Sequence, residues 1–245
     1  MRLTDQAFWD VFWTKRSQLK AIGRFHQVFG ERGWFLRSIP DLREKRVVEF
    51  GGAGSYFLLA LAKWRDARVT AVDYSDGGLR LTRSLFSLNG VPVDLVHADV
   101  FDWNPAAPFD AVVHFGLLEH FVDPVPLLLK SRQVVRDDGI VVFTMPNMDA
   151  AGAHFWRTFA PGNWEKHAYH SDGAVRSACI QSDLRLERVC HFGGPLIQIA
   201  PWEIAHPLLP AVTLAQKAIN LLGSPFYHLG HRKFSSIRGF IARPM

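Results

Sequence analysis

Cysteine is scarce: two residues in 245, too few for a disulfide framework. Cys179 and Cys190 also lack zinc-ligand spacing to the neighbouring histidines, so they read as two buried thiols in a reducing compartment, and no metal centre is expected. Long apolar runs are missing as well. No stretch of 18 apolar residues occurs, which argues against a membrane-spanning helix, and residues 1–16 carry Asp5, Asp10 and Lys15 where a signal peptide needs an unbroken apolar segment. The expected location is the cytoplasm. Charge of one sign is not concentrated: 28 Lys and Arg against 23 Asp and Glu leave +5, and the densest basic cluster, Arg43, Lys45 and Arg46, holds three residues. A protein that tracks phosphates gathers its basic residues on one face or in one run, so no nucleic-acid partner is expected. Repeats and low-complexity segments are also lacking.

What the chain has is apolar mass. Hydrophobic residues make up 48% and charged residues 21%, with 19 Phe and 8 Trp, enough to offset the ordering entropy of one full-sized domain with a substantial core. Short runs rich in Val, Ile and Phe alternate with segments of helical period, the pattern of βα units in an α/β fold. Strands are expected at 46–50, 68–72, 93–97, 111–115 and 140–144, apolar on both faces, with two more at 186–192 and 236–242. Helices are expected at 56–64, 78–88, 124–135 and 173–181, and at 4–20 and 25–38 ahead of the first strand. Ser75 or Asp76 should cap the second of these, and Asp123 the third, with Pro124 at its first position.

Two stretches break the repeating unit. Residues 147–169 gather Phe155, Trp156, Phe159 and Trp164 with His154, His167 and Tyr169; residues 193–230 hold five prolines and an apolar helical run at 211–222. Such insertions sit over the carboxyl ends of strands, where α/β sheets place ligands. The expected division of this single domain, 1–245, is a helical cap (1–45), a core (46–147) and two cap insertions (148–170 and 193–232).

The most informative stretch is RVVEFGGAGSYFLLALAKW. A buried strand carrying Glu49 runs into Gly51, Gly52 and Gly54 and then directly into a helix, so the turn needs positive φ or close approach of a ligand to the backbone. The dinucleotide frame fails: from Gly52 its third position is Phe57, and from Gly51 its second is Ala53. A P-loop would need Gly-Lys-Ser/Thr where Gly54-Ser55-Tyr56 stands. What the stretch resembles is the first motif of class I S-adenosylmethionine-dependent methyltransferases, E/D-x-G-x-G-x-G, here Glu49-Phe50-Gly51-Gly52-Ala53-Gly54-Ser55, with Ala53 and Ser55 at two glycine positions. Ser55 can cap the helix that follows.

Later blocks agree in spacing: VTAVDYS ends in Asp73-Tyr74, HADVFDW contains Asp99, Val100 and Phe101, and FDAVVHF leads into GLLEHFVDP. The last of these is similar to the L-E-H segment of small-molecule methyltransferases related to ubiquinone-biosynthesis enzymes. The resemblance covers 46–147. It implies a Rossmann-like, mostly parallel seven-stranded sheet flanked by helices, with S-adenosyl-L-methionine as cofactor. It further implies that Asp73 accepts both ribose hydroxyls, Asp99 the adenine amino group, and that Val100 and Phe101 lie at the base. Glu49, Gly51, Gly52, Gly54, Tyr74 and Phe115 complete the implied cofactor contacts, together with Trp13. Asp102 is an alternative to Asp99 on composition alone, and Asp73 can also be read as a helix cap.

His120 follows the fourth strand near the implied methyl position, so it is the candidate proton acceptor; fixing the start of the next helix is its other reading. His114, deeper in the strand, reads as structural. Trp9 and Trp13 share one helix face at i, i+4, and either close over the methionine end of the cofactor or serve helix packing. Trp9, Trp156, Trp164 and Tyr169 are expected around the acceptor. The expected reaction is methyl transfer to oxygen or nitrogen of a small, flat, aromatic or heteroaromatic metabolite, by a monomer or homodimer. An RNA methyltransferase and a non-catalytic adenosylmethionine-binding protein are the other readings.

Overall fold

Residues Val47, Val48 and Phe50 are each fully buried although successive strand residues face opposite ways, so this strand is covered on both sides. The structure, a computed structural model, describes residues 1–15, 19–23, 35–204, 209–223 and 230–245. Its seven strands are β1 (Arg46–Phe50), β2 (Arg68–Asp73), β3 (Asp94–His97), β4 (Phe109–Phe115), β5 (Val135–Pro146), β6 (Leu184–Phe192) and β7 (Ile237–Pro244). They form one sheet in the order β3-β2-β1-β4-β5-β7-β6. The first five pair in parallel, and β7 enters antiparallel between β5 and β6. Strand order reverses between β1 and β4, and α/β sheets bind ligands in the crevice outside the carboxyl ends at such a reversal.

Two apolar layers cover the sheet. On one side Val48, Phe50 and Val112 pack with Leu127 and Leu128 of α4 (Val125–Val134) and Val175 and Cys179 of α7 (Asp172–Gln181). On the other, Val47, Ala111 and Val113 pack with Leu58, Leu59 and Leu61 of α2 (Tyr56–Arg65) and Leu85 and Phe86 of α3 (Asp76–Leu88).

Local chemistry sets the helix ends. Ser55 and Ser75 cap α2 and α3 by accepting from the N–H groups of Leu58 and Gly78, and α3 stops at Asn89, with Gly90 at φ +66°. At α4 the helix begins one residue later than expected: Pro124 is the cap position, and the Asp123 carboxylate accepts from Val125 N–H. Strand β5 begins at Val135, earlier than expected, because Val135 pairs with Phe109 before a register shift in which the exposed Arg136, Asp137 and Asp138 bulge out ahead of Ile140.

The N-terminal helix α1 (Gln6–Lys15) is shorter than 4–20 and contains no fully buried residue. Of the second expected N-terminal helix, residues 25–34 lie outside the described residues. In the first insertion are α5 (Ala153–Phe159) and α6 (Pro161–Trp164), and in the second α8 (Leu209–Gly223). Trp156, Ala160, Ile199, Ile204 and Val212 tie them into a third apolar cluster. Cys179 is buried, but Cys190 is only half-buried, because its end of β6 is covered on one face. Burial pushes both thiols up, to about 12 and about 11, so neither is a nucleophile at neutral pH. Among the described residues no helix is long and apolar enough to cross a membrane.

Gly52 ties the turn after β1 to the sheet. A Cβ there would come within 2.7 Å of the Ala71 Cβ and 3.0 Å of its Cα. Gly52→Ala is therefore expected to destabilise the fold by about 1–3 kcal/mol through overpacking against β2, measurable by denaturant unfolding; an unchanged midpoint would refute this packing role.

Candidate active site

Gly51 and Gly54 have φ of +67° and +62°, so the turn bends where only glycine is unstrained. Thr82 of α3 holds it from below, accepting from Gly54 N–H at 2.8 Å and donating to Gly52 O at 3.1 Å. Beside the turn, Asp73 ends β2 with both oxygens engaged, Oδ2 accepting from Ala53 N–H at 3.2 Å and Oδ1 from Ser75 N–H at 2.8 Å. Burial raises its pKa to about 6, against the lowering effect of these bonds. Glu49, 1% exposed, is held well above the usual carboxylate range by desolvation, which the Ser55 hydroxyl bond only partly offsets, and its Oε2 has no partner among the described residues.

These groups border a cavity of about 1130 Å³ at the strand-order reversal. Glu49, Gly51, Gly54, Asp73, Tyr74, Val100 and Phe115 line one part, and Phe115 stacks on Phe57 at 4.5 Å. Gly52 does not reach the cavity, since it faces Ala71. Asp99 also lies off it, at a smaller recess lined by Arg2 and Tyr74, and Phe101 lines neither. The Arg2 guanidinium pairs with Asp99 at 2.6 Å and lies 5.0 Å from the Phe101 ring centroid and 5.6 Å from that of Tyr74. The chain around Arg2 is held by a bridge to Phe121 and by Leu3 N–H donating to His120 O. Asp102, the alternative to Asp99, is exposed.

Helix α1 roofs the cavity with Phe8, Trp9, Phe12 and Trp13, which explains why its aromatic face is half-buried and not core. Trp9 stacks on Trp13 at 5.9 Å, and a Cβ on Gly54 or Gly78 would meet the Trp13 ring at 3.2 or 3.0 Å. The opposite end is polar. The 3-10 turn Leu118–His120 after β4 places Glu119 and His120 in the lining, where Lys166 and His167 of the first insertion join them. His120 is 5% exposed; its Nδ1 lies 2.8 Å from Lys166 O, and Trp9 meets its ring edge-on at 5.1 Å. Burial lowers its pKa to about 4 and that of His167 to about 3, and raises that of Glu119 to about 8.

Two expected acceptor residues are not in this lining. Trp164 packs edge-on against Trp156 at 4.8 Å in the third apolar cluster, and Tyr169 is 55% exposed with its hydroxyl bonded to Asp149 at 3.2 Å. Trp156 lines the cavity with its indole N–H given to Asn163. His114 is fully buried and stacked on Phe143 at 5.0 Å, as a structural residue should be. Sequence reasoning missed Arg2, Phe8, Phe12, Lys166 and Trp202. For Phe8 and Phe12 the signal was present, since they flank Trp9 and Trp13 in one helix; for the others no local pattern exists.

Residues 36–189 match a family model described as a methyltransferase domain. A ubiquinone biosynthesis O-methyltransferase from Neisseria meningitidis serogroup C (strain 053442) is 28% identical over 141 residues, covering 56% of this chain and 58% of that protein. A trans-aconitate 2-methyltransferase from Azoarcus sp. (strain BH72) is 30% identical over 130 residues, covering 53% of this chain and 50% of that one. The matches thus span half or slightly more of each relative. Among solved structures, an O-methyltransferase from neocarzinostatin biosynthesis, in complex with S-adenosylmethionine and 2-hydroxy-5-methyl naphthoic acid, superposes with a TM-score of 0.60 at 15% identity, covering 98% of this chain and 59% of that one. At that identity the likeness is one of fold.

Proposed function

The chain belongs to the methyltransferase domain family, and on that premise we propose that it transfers the methyl group of S-adenosyl-L-methionine to an oxygen or nitrogen of a small planar metabolite. The observation that carries this reading is a single cavity joining the glycine turn and Asp73 to His120 beneath a roof of aromatic rings. In it Asp73 takes the ribose hydroxyls, Tyr74 and Val100 flank the nucleoside, and the glycine turn admits the rest of the cofactor. Asp99 can take the base only once Arg2 leaves its carboxylate, and Phe101 lies against the same guanidinium. Residues 1–45, 148–170 and 193–232 act as the cap over a cofactor-binding core at 46–147.

The transfer itself asks little of side chains, because the sulfonium supplies the driving force. A lone pair of the acceptor attacks the methyl carbon, the S–CH3 electrons stay on sulfur to give S-adenosylhomocysteine, and the acceptor's proton passes to His120 Nε2 and from there to solvent. The protein must align the acceptor with the S–CH3 bond and exclude water. His120 is placed to take the acceptor's hydrogen bond: a carbonyl only accepts, so the contact to Lys166 O puts the ring hydrogen on Nδ1 and leaves Nε2 with its lone pair. His120→Gln is expected to lower turnover at least about tenfold with adenosylhomocysteine affinity changed less than about twofold. Full retained turnover would reduce His120 to a structural residue.

Phe8, Phe12, Trp9 and Trp202 favour a flat acceptor, since ring faces orient planar molecules. An acceptor screen in which only aliphatic compounds are methylated would overturn that preference. The densest basic cluster argues against nucleic acid, because it is engaged within the chain: Arg43 pairs with Asp66, Lys45 with Asp110, and Arg46 donates to Pro108 O while lying over the Phe109 ring. The expected setting is cytoplasmic, as a monomer or homodimer.

Cofactor affinity should depend on pH through Asp73. Ribose hydroxyls donate to the ionised carboxylate, and its pKa stands at about 6. Binding is therefore tightest above pH 6 and should be about tenfold weaker at pH 5 than at pH 7.5, one proton being taken up as the ligand leaves. Calorimetry with adenosylhomocysteine at the two pH values checks this; a flat profile would refute the assignment.

A further inference from the structure

Glu119, His120 and His167 bring together more electron-pair donors than methyl transfer uses. Each offers one ligand atom, and the three atoms lie within 4.8 Å of one another. Two come from the turn after β4 and the third from the first insertion, 47 positions further on. Both imidazoles are oriented in the same way. His120 Nδ1 lies 2.8 Å from Lys166 O and His167 Nδ1 lies 2.8 Å from Asn163 O, so each Nδ1 carries the hydrogen and each Nε2 keeps a lone pair. A ring nitrogen given to a backbone carbonyl is how proteins fix a histidine whose other nitrogen ligates a metal. Glu119 is 3% exposed, and its Oε2 is a buried oxygen without a partner among the described residues. An unpaired polar atom in the interior is costly. The Glu119 carboxylate stands beside two imidazoles whose hydrogens already point elsewhere, and a cation would satisfy all three side chains at once.

We propose that Glu119, His120 and His167 bind one divalent transition-metal ion of the zinc type, with its remaining coordination positions open to the cavity. Two imidazoles and one carboxylate are a ligand set that zinc and its neighbours accept, whereas magnesium requires oxygen ligands in octahedral array. In a tetrahedral site with metal–ligand bonds of about 2.1 Å the ligand atoms lie about 3.4 Å apart, so a cluster spread over as much as 4.8 Å must contract by up to roughly 1.4 Å on binding. The ion would hold the acceptor's nucleophilic atom where His120 Nε2 alone would otherwise take its hydrogen bond. Only this role for the ion rests on the methyl-transfer reading; the ion site does not.

The test is titration of chelator-treated protein with Co²⁺, followed by its visible absorption and by competition with Zn²⁺ and Mg²⁺. One equivalent of Co²⁺ is expected to bind, displaced by Zn²⁺ and not by Mg²⁺, with affinity at least about tenfold weaker in His167→Gln and Glu119→Gln. Because Glu119→Gln alters a buried group, the half-buried His167→Gln is the decisive variant, and Zn²⁺ should raise the melting temperature of the wild type but not of that variant. No binding of either ion at millimolar concentration, with adenosylhomocysteine still bound, would overturn the metal site. So would binding of equal strength in His167→Gln. Metal binding without adenosylhomocysteine binding would support the site and overturn the methyl-transfer reading instead.

Discussion

Asp73→Ala is expected to weaken adenosylhomocysteine binding by about 2–3 kcal/mol, roughly 30- to 150-fold, since it removes the charged acceptor of two hydroxyl hydrogen bonds. The carboxylate is placed for this by its own backbone contacts. Ala53 N–H fixes one oxygen to the glycine turn and Ser75 N–H fixes the other to the start of α3, so the group is oriented before any ligand arrives. That preorganisation makes the loss large, and it makes the variant less stable too. Unfolding of Asp73→Ala should therefore be measured alongside calorimetry at a temperature where the variant is folded. Unchanged affinity in folded protein would remove the ribose assignment.

A second large effect should follow from Asp172→Ala, far from the glycine turn. Arg238 of β7 is 2% exposed; it donates to Asp172 at 3.0 Å and to His170 O at 2.7 Å, while its Nε has no partner among the described residues. Taking away the carboxylate leaves a buried guanidinium charge uncompensated, and loses an acidic residue from the first turn of α7. Removing one partner of a buried pair costs about 3–5 kcal/mol; because Asp172 is one-third exposed, the lower end applies, about 3 kcal/mol. Denaturant unfolding measures it. The double variant Asp172→Ala/Arg238→Met should recover most of the loss, since an apolar side chain of similar length leaves no charge to desolvate. A loss under about 1 kcal/mol would mean that water reaches the guanidinium, and that the pair matters no more than a surface one.

The regular part of the chain was legible because its signals are local. Val47, Val48 and Phe50 read as a strand buried on both faces, and Ser55, Ser75 and Asn89 marked helix ends where the structure has them. Gly51 and Gly54 declared positive φ by being glycine. At Gly52 the same residue type has a different cause, the approach of Ala71 from the next strand, which no single segment contains. The start of β5 was missed for a similar reason: Arg136, Asp137 and Asp138 look like a turn and do bulge from the ladder, yet Val135 before them pairs with Phe109 of β4.

In the site the division is the same. Asp73, Tyr74 and Val100, which the resemblance implies as cofactor contacts, end or follow β2 and β3 and line the cavity. Trp164 and Tyr169 sit in a segment without a repeating period, where Trp164 turned into an apolar cluster and Tyr169 toward Asp149 and solvent. Residue type alone does not reveal such a choice. By itself, the sequence determined the α/β architecture, the glycine turn and the acidic residue beside it, because hydrophobic period and backbone geometry act over a few residues. Only the tertiary structure decided that Arg2 lies against Asp99 and that His167 meets Glu119 and His120. Those pairs come from segments far apart in the chain, and only their packing at the carboxyl ends of the strands brings them within reach.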